Sequence, residues 1–339
     1  MSDAPQSHPA GQGAGMAISR RQFLAAAASL GAAACAAPAA AGSGLAVPRG
    51  LPGSIHAGHQ HDHSKATLTL LSALGVHHLC SSLPAAEFGE AWSVEGLTRL
   101  RRHVESFGIH LECVPLPPVR DVARDPVIEE TCRMIRNAGS AGIPMVKYSL
   151  SIAGPVRTGD ETQWARIEHF LARIVPVAEK AKVRIALHPQ ETGMHPNGGL
   201  SGSVLGSVEG LQRYVGTCAS EYHGLGFPHD TIAAMLRHPG DELAGVIRWF
   251  GLRRKIFTVH CGSVGTNHPN LPGSSGWNLM AALPLYREVG YQGMVIPDHV
   301  PAIEGDLDHY KAYAFCFGYI QALLQTLDAP VPASFRLQG

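Results

Sequence analysis

Short apolar segments with strand character alternate with segments of helical spacing along most of this chain, and no other feature limits its fold as strongly. Regular alternation of this kind favours an α/β fold, a (β/α)8 TIM barrel, over a doubly wound sheet. No glycine-rich dinucleotide-binding or phosphate-binding loop follows a strand. Seven strands are expected, at residues 76–80, 109–114, 145–149, 183–187, 224–227, 256–259 and 293–296. Helices are expected at residues 66–74, 94–107, 127–141, 164–181, 208–218, 241–250, 278–289 and 308–327.

Composition and charge exclude several classes of function. The chain has 27 basic and 27 acidic residues, so no basic excess indicates a nucleic-acid partner and none is expected. Hydrophobic residues make up 45% of the 339 residues, enough for the core of one large domain. The 19 histidines are more distinctive, because imidazole is the commonest metal ligand. The cysteines are scattered without a C-x-x-C pair, so no disulfide framework is expected.

The first 41 residues have the pattern of an export signal. Arg20 and Arg21 precede an alanine-rich apolar run at residues 25–37, a pattern similar to a twin-arginine signal, with cleavage near residues 39–41. The run is too short for a transmembrane helix. Cys35 follows three alanines, which leaves a lipid anchor open as an alternative; a chance arginine pair before a buried helix is another. We expect the twin-arginine export machinery to be a partner and the folded protein to be exported or periplasmic.

The sequence divides into four parts: a signal at 1–41, a segment rich in histidine, glycine and proline at 42–64, a barrel at 65–329, and a tail at 330–339. The second part has two interpretations. It is either a flexible linker that could bind metal loosely, or it holds the first barrel strand at residues 54–58. In the second case the histidines between His56 and His63 lie on the first loop of the active face.

Polar residues end the last four expected strands. His188, His229, His260 and Asp298 stand at these ends, at roughly 30–40-residue spacing. Because the carboxyl ends of barrel strands converge on one mouth, these residues could form one ring of ligands. A mixed imidazole and carboxylate set suits Mn²⁺, Fe²⁺, Co²⁺ or Zn²⁺ better than Ca²⁺.

At two of these strand ends, the polar residues have more than one possible role. After the strand at residues 224–227, Pro228 cannot bind a metal, so the candidate ligand is His229 or Asp230. The alternative for Asp230 is that it caps a helix that starts at Thr231. After the strand at residues 293–296, His299 follows Asp298 directly. It could act as a general acid or base, or it could orient the carboxylate of Asp298.

Other polar residues could contact a substrate. Arg157 could bind a substrate carboxylate through two hydrogen bonds. Glu191 could reach a substrate or could be a solvated loop residue. Lys147 and Tyr148 point to opposite faces of one strand, so one of them could face the barrel interior. The loop at 266–277 is either a lid or an idle surface loop.

The carboxy-terminal half resembles the mannonate dehydratases, within the xylose-isomerase-like barrels, and the likeness extends over residues 65–327. The stretches that carry it are Ala186-Leu187-His188-Pro189, Phe257-Thr258-Val259-His260, Pro297-Asp298-His299 and the closing helix at 317–324. Looser matches are Glu90-Ala91-Trp92, Arg157-Thr158 and residues 111–115 and 142–148.

The resemblance implies a Mn²⁺ or Fe²⁺ ion held from the last four strands. It assigns His188, His260 and Asp298 as ligands and His299 as the acid/base. His229 substitutes for a cysteine ligand of the family, since Pro228 stands at that position.

The resemblance also implies further contacts with the substrate. Trp92 and Lys147 would bind it, and Arg157 and Tyr310 would take part in catalysis, with Tyr313 as the alternative to Tyr310. Glu191 is expected to bind it because of its position just after His188, although residues 190–193 depart from the family pattern.

The implied reaction is dehydration of D-mannonate or a related aldonate to a 2-keto-3-deoxy acid. The flanks of Asp298-His299 depart from the family, with Ile296 and Val300 where it usually has arginine and glycine. A sugar isomerase, epimerase or keto-sugar lyase on the same metal-dependent barrel is therefore the alternative, with a sugar acid or keto-sugar as the small-molecule partner. A third interpretation is an exported, non-catalytic metal- or sugar-binding protein. Association into a homo-oligomer stays open.

Overall fold

A computed structural model describes residues 54–151, 161–189, 203–262, 279–300 and 302–328. The contacts divide the chain into two units, residues 1–44 and 45–339, and every described residue belongs to the second unit. The expected signal, the loop at 266–277, the tail at 330–339, Arg157 and Glu191 all lie outside the described residues.

The described strands are all parallel, and most of them form one sheet. The order of this sheet is β1-β11-β10-β9-β8-β6-β4-β3-β2, and β5 and β7 form a separate pair. The strands are β1 (Ile55–Ala57), β2 (His59–Gln60), β3 (His78–Cys80), β4 (His110–Pro115), β5 (Val119–Arg120), β6 (Met145–Tyr148), β7 (Leu150–Ser151), β8 (Arg184–Leu187), β9 (His223–Pro228), β10 (Ile256–Cys261) and β11 (Gly293–Pro297).

The sheet closes into a barrel through β1 and β2. The strand β1 pairs with β11, whereas β2 pairs with β3, and only Gly58 separates the two segments. A Cβ atom on Gly58 would lie 2.7 Å from Sδ of Met294, so only glycine lets the chain approach β11 this closely. The two segments fill one position between the last strand and β3, which leaves eight positions in the ring. The expected (β/α)8 barrel is confirmed, and residues 55–57 form part of its first strand.

Helices follow the barrel strands. They are α1 (Lys65–Ala73), α2 (Val94–Glu105), α3 (Asp125–Ser140), α4 (Glu161–Ala181), α5 (Val208–Gly216), α6 (His229–Ala234), α7 (Pro239–Leu252), α8 (Leu279–Glu288) and α9 (Tyr310–Asp328). The helix α4 continues through Pro176, whose ring is exposed. Among the described helices, none has the length and apolar character that crossing a membrane requires.

Two apolar clusters build the core. The larger one lies where the helices pack on the outer face of the sheet, and the smaller one fills the inside of the barrel. Alternate strand residues face the same side of a sheet, so the residues two positions after Ala186 and Ile296 also face inwards. These are His188 and Asp298, at the carboxyl end of the barrel. The smaller cluster consists of Cys80, Cys113, Met145, Ala186, Phe257, Met294 and Ile296.

Candidate metal centre

Three of the predicted ligands lie together at the carboxyl end of the barrel. One ligand atom from each of His188, His260 and Asp298 lies within 4.8 Å of the others. Nδ1 of His260 is 3.9 Å from Oδ2 of Asp298, and the two imidazole rings meet edge to face with centroids 4.8 Å apart. The three come from the ends of β8, β10 and β11, so the barrel brings together residues more than 100 positions apart.

The protonation of the two histidines suits a metal ion. Nδ1 of His188 lies 3.1 Å from the carbonyl of Pro189, which can only accept, so Nε2 is left to present its lone pair. In His260, Nε2 lies 3.1 Å from the hydroxyl of Thr258. Its Nδ1 is buried and has no hydrogen-bond partner among the described residues. An orphaned buried nitrogen that faces a carboxylate is what a bound cation would satisfy.

Burial keeps both imidazoles neutral. Loss of solvation, assisted by the positive charge of Lys147, lowers the pKa of His188 to about 3. The same two causes, in the same order, lower the pKa of His260 well below its ordinary value. Neutral imidazole is the form that binds metal ions, so the donor set is ready for a divalent cation at neutral pH.

A chain of hydrogen bonds orients the carboxylate of Asp298. The amide of Gln60 donates to Oδ1 at 3.0 Å, and the backbone N–H of His299 donates to the same oxygen at 3.2 Å. The ammonium group of Lys147 in turn donates to Oε1 of Gln60 at 2.7 Å. With Oδ1 held in this way, Oδ2 faces His260.

A cleft of about 470 Å³ opens over the three ligands. Lys147 reaches into it from the barrel wall, while Tyr148 points the other way and contacts the hydroxyl of Tyr214. His61 and His299 lie at its exposed edge, each with a positive φ. The polar residues that line the cleft include Gln60, His61, Lys147, Ser149, His188, Asp298 and His299.

The strand β9, which is the sixth position of the ring, supplies none of the three ligands. Pro228 ends β9, so His229 begins α6, and its Nδ1 lies 2.9 Å from the hydroxyl of Tyr286 on α8. The ligand group therefore does not include His229. At Gly226 a Cβ atom would lie 3.7 Å from both His188 and His260 and 3.2 Å from the hydroxyl of Thr258, so β9 passes close to the ligand group there. No cysteine of the described chain belongs to the group either.

Asp230 does not cap the helix that follows β9. The helix α6 starts at His229, and Asp230 lies in its first turn. Its carboxylate accepts a hydrogen bond from the backbone N–H of Gly262, just beyond β10. The residue therefore links the ends of two neighbouring strands.

Two other predicted site residues lie away from the cleft. The hydroxyl of Tyr310 is 3.2 Å from that of Thr67, in a neighbouring pocket of about 80 Å³ that also holds His59 and Tyr313. Trp92 is completely buried and donates from Nε1 to the carbonyl of Ala85 at 2.9 Å. The structure therefore places Trp92 in the core, where it does not reach the cleft.

Gln60 was not among the predicted site residues, and His61 was placed at the active face only by the interpretation in which residues 54–58 form the first strand. If residues 54–58 form the first strand, the residues that follow lie at the active mouth. The histidines of this stretch do not form one cluster. His59 packs against Tyr313 and His63 contacts Ser82 at 2.8 Å, while His56 lies further back on β1.

Comparisons with known proteins agree with this barrel and its site. A family model described as D-mannonate dehydratase (UxuA) matches residues 152–329, more than half of the chain. The mannonate dehydratase of Thermotoga petrophila is 24% identical over 78% of this chain and 95% of its own length.

Solved structures show the same fold. The mannonate dehydratase of Streptococcus suis serotype 2 has a TM-score of 0.62 and 22% identity, over 81% of this chain and 95% of its own. The 3-keto-D-glucoside 4-epimerase of E. coli has a TM-score of 0.57 and 13% identity, over 78% of this chain and 98% of its own. The shared architecture is the xylose-isomerase-like barrel. Together with the family model, it identifies the chain as a member of the D-mannonate dehydratase family, which consists of carbon–oxygen hydro-lyases.

Proposed function

We propose that the chain is a metal-dependent dehydratase that converts D-mannonate, or a related aldonate, to a 2-keto-3-deoxy acid and water. The observation that carries this proposal is the convergence of His188, His260 and Asp298 beneath a cleft that holds a buried lysine. Membership of the family supports hydro-lyase chemistry. The mixed nitrogen and oxygen donors support Mn²⁺ or Fe²⁺ as the ion.

The three ligands leave room for the substrate. A divalent ion held by them would supply Lewis-acid stabilisation for the negative charge that develops as the C2 proton leaves. The cleft above the ligand group, about 470 Å³ in volume, has space for the carboxylate and hydroxyl of an aldonate. With a divalent ion bound, two neutral imidazoles and one carboxylate would give the ligand group a net positive charge, which suits an anionic substrate.

Lys147 is placed to bind the carboxylate of the substrate. Its side chain is only 8% exposed and lines the cleft beside the ligand group. One of its three N–H donors is used by Gln60, which leaves two for a substrate carboxylate. Arg157, which lies outside the described residues, is proposed to neutralise the remaining substrate charge.

His299 is the residue we assign to proton transfer. Its side chain is exposed at the cleft. Its backbone has a φ of +47°, and its N–H donates a hydrogen bond to Oδ1 of Asp298. In the proposed reaction His299 takes the proton from C2 and the C3 hydroxyl leaves with a proton as water. The resulting enol takes up a proton at C3, releases the proton of its C2 hydroxyl and becomes the keto acid.

An epimerase or isomerase is the second candidate. The observation that favours it is the shared fold with a solved sugar epimerase, together with a sixth strand that supplies no ligand. Such an enzyme would also remove a proton next to a carbonyl but would return it without loss of water. A non-catalytic binding protein has less support, since the histidines of residues 56–63 do not form one cluster.

Metal reconstitution tests the proposal. The protein is stripped with a chelator, reloaded with Mn²⁺ or Fe²⁺ and assayed with D-mannonate. We expect activity only in the reloaded protein, and we expect Asp298→Asn to lose both the ion and the activity. Asp121→Asn, a change of an exposed carboxylate away from the cleft, is the matched control and should behave as wild type. Full activity of the stripped protein, or of Asp298→Asn, contradicts the proposal.

Export is a separate proposal that rests on the sequence pattern alone. We propose that residues 1–41 direct the folded protein to the twin-arginine machinery. Replacing both Arg20 and Arg21 by lysine should retain the protein in the cytoplasm when cells are fractionated. An unchanged distribution between fractions would contradict it.

A further inference from the structure

A second group of possible metal ligands lies at the opposite end of the barrel from the cleft. One ligand atom from each of His56, His78 and Glu112 lies within 4.8 Å of the others. Nε2 of His56 is 3.2 Å from Oε1 of Glu112, and Nδ1 of His78 contacts the same oxygen. The two imidazole rings stack with centroids 3.5 Å apart. Three ligand atoms from three strands, β1, β3 and β4, therefore converge on one point.

The two groups are separated along the barrel axis. His56 pairs with Met294 of β11, four residues before Asp298, which corresponds to about 13 Å along the strand. On β3, His78 comes two residues before Cys80, and both Cys80 and Met294 belong to the apolar cluster inside the barrel. This cluster lies between the two ends, so the second group takes no part in the cleft.

The hydrogen bonding of His56 suits a metal ligand. Its Nδ1 lies 3.1 Å from the carbonyl of Ser54, which can only accept, so Nδ1 carries the proton. Its Nε2 is buried, has no hydrogen-bond partner among the described residues, and lies 3.2 Å from a carboxylate oxygen of Glu112. A ring that donates one N–H to a backbone carbonyl and directs its other nitrogen at a carboxylate has the arrangement of a metal-binding histidine.

Glu112 is suited to be the anionic ligand. One of its carboxylate oxygens, Oε1, is contacted by both imidazoles. The three side chains are 11–23% exposed, so an ion can reach them from solvent. Two imidazole nitrogens and one carboxylate oxygen form a donor set that zinc sites use, with a fourth position for water.

We propose that His56, His78 and Glu112 form a second metal site, for Zn²⁺ or a similar divalent ion, that fastens the first barrel strand. The strand β1 has only three residues and is separated from β2 by Gly58. An ion at this site ties β1 to β3 and β4 across the position where the ring closes. The site stabilises the fold and does not depend on which reaction the cleft catalyses.

Cobalt titration of the full chain tests the proposal, because Co²⁺ replaces Zn²⁺ and absorbs visible light. After removal of metals, wild type should bind two equivalents of Co²⁺ in the presence of a weak competing chelator. Asp298→Asn should still bind one equivalent, and adding Glu112→Gln or His56→Gln to it should abolish binding. His110→Gln is the matched control, since this ring lies 5.5 Å from that of His78 but is not a ligand, and it should keep both equivalents.

Thermal unfolding gives a second readout that separates this site from the cleft. In the Asp298→Asn background, saturating Zn²⁺ should raise Tm by roughly 5 °C, and adding Glu112→Gln should remove the effect. If Asp298→Asn binds no Co²⁺, the second site does not exist, whether or not the other variants fold. If an equivalent persists in both Glu112→Gln and His56→Gln added to Asp298→Asn, the assignment of the ligands is wrong.

Discussion

The amide of Gln60 donates a hydrogen bond of 3.0 Å to Oδ1 of Asp298, and so joins the first strand of the barrel to the last. The two residues are 238 positions apart in the chain. The bond holds one carboxylate oxygen and leaves the other to face His260 at 3.9 Å. The closure of the barrel and the orientation of a proposed metal ligand therefore depend on the same contact.

Loss of this contact should weaken metal binding without unfolding the protein. We expect Gln60→Leu to lower the affinity for Mn²⁺ about 10–100-fold, the usual effect of removing a group that orients a ligand. Competition with a fluorescent chelator measures the change. Gln321→Leu removes a similar amide bond, to the carbonyl of Leu74, and should leave the affinity unchanged. Equal affinities of Gln60→Leu and wild type would show that Asp298 needs no such support.

Replacement of Lys147 should affect substrate and metal in opposite directions. We expect Lys147→Met to lower kcat/KM roughly 10–100-fold, because a hydrogen bond to a charged group contributes about 1.5–3 kcal/mol. Metal affinity should rise, since the charge of Lys147 disfavours positive charge at His188 and His260. Steady-state kinetics and metal titration measure the two effects. The exposed Lys182→Met is the control, and weaker metal binding in Lys147→Met would contradict the assignment.

A cysteine in place of Gly226 should enter the ligand group. The new Cβ would lie 3.7 Å from both histidines and 3.2 Å from the hydroxyl of Thr258, which must move by a few tenths of an ångström. We expect the Co²⁺-loaded Gly226→Cys to show a sulfur-to-cobalt charge-transfer band that wild type and Gly226→Ala lack. A spectrum without this band would place the metal away from the sixth strand.

Trp92 should matter for stability and not for substrate binding. The side chain is completely buried, and its N–H is bonded to the carbonyl of Ala85. We expect Trp92→Phe to lower the free energy of unfolding by about 1–3 kcal/mol through lost packing and the unpaired carbonyl. Denaturant unfolding measures this loss. KM should stay within twofold of wild type, whereas a large rise in KM with unchanged stability would restore the predicted contact with substrate.

His223 should make the protein less stable in acid. It is fully buried against Tyr214, and burial lowers its pKa to about 4. Between pH 6.5 and 4 the unfolded chain therefore binds the proton more readily, so stability is lost as the pH falls through this range. In the variant His223→Gln the loss across this range should shrink by about 3 kcal/mol. Denaturant unfolding at several pH values measures it, with the exposed His169→Gln as the control; an unchanged slope would contradict the assignment.

The arrangement of the barrel was predictable from the sequence because it depends on patterns that repeat locally. Apolar runs such as Met294 to Ile296 mark a buried strand, and the polar residue that ends each run lies at the mouth. This rule brings His188, His260 and Asp298 together without any knowledge of side-chain geometry. The strand bounds shifted by one or two residues, as is usual for the ends of elements.

The remaining features depend on contacts that a local pattern does not contain. The role of Gln60 follows from closure of the ring between β1 and β11, which joins distant parts of the chain. The orientation of His229 follows from its place after Pro228, where β9 ends. His229 begins α6, so its imidazole ring turns towards Tyr286. The burial of Trp92 reflects packing that the short stretch around it does not reveal.

The reaction itself is tested most directly by the mass of the product formed in D₂O from D-mannonate with the metal-loaded protein. The account predicts a product lighter than the substrate by one water and carrying deuterium at C3, because the enol takes its proton from solvent. A product that keeps all its oxygen atoms and gains deuterium at C2 would contradict dehydration and would show that the site returns the proton to the carbon that lost it.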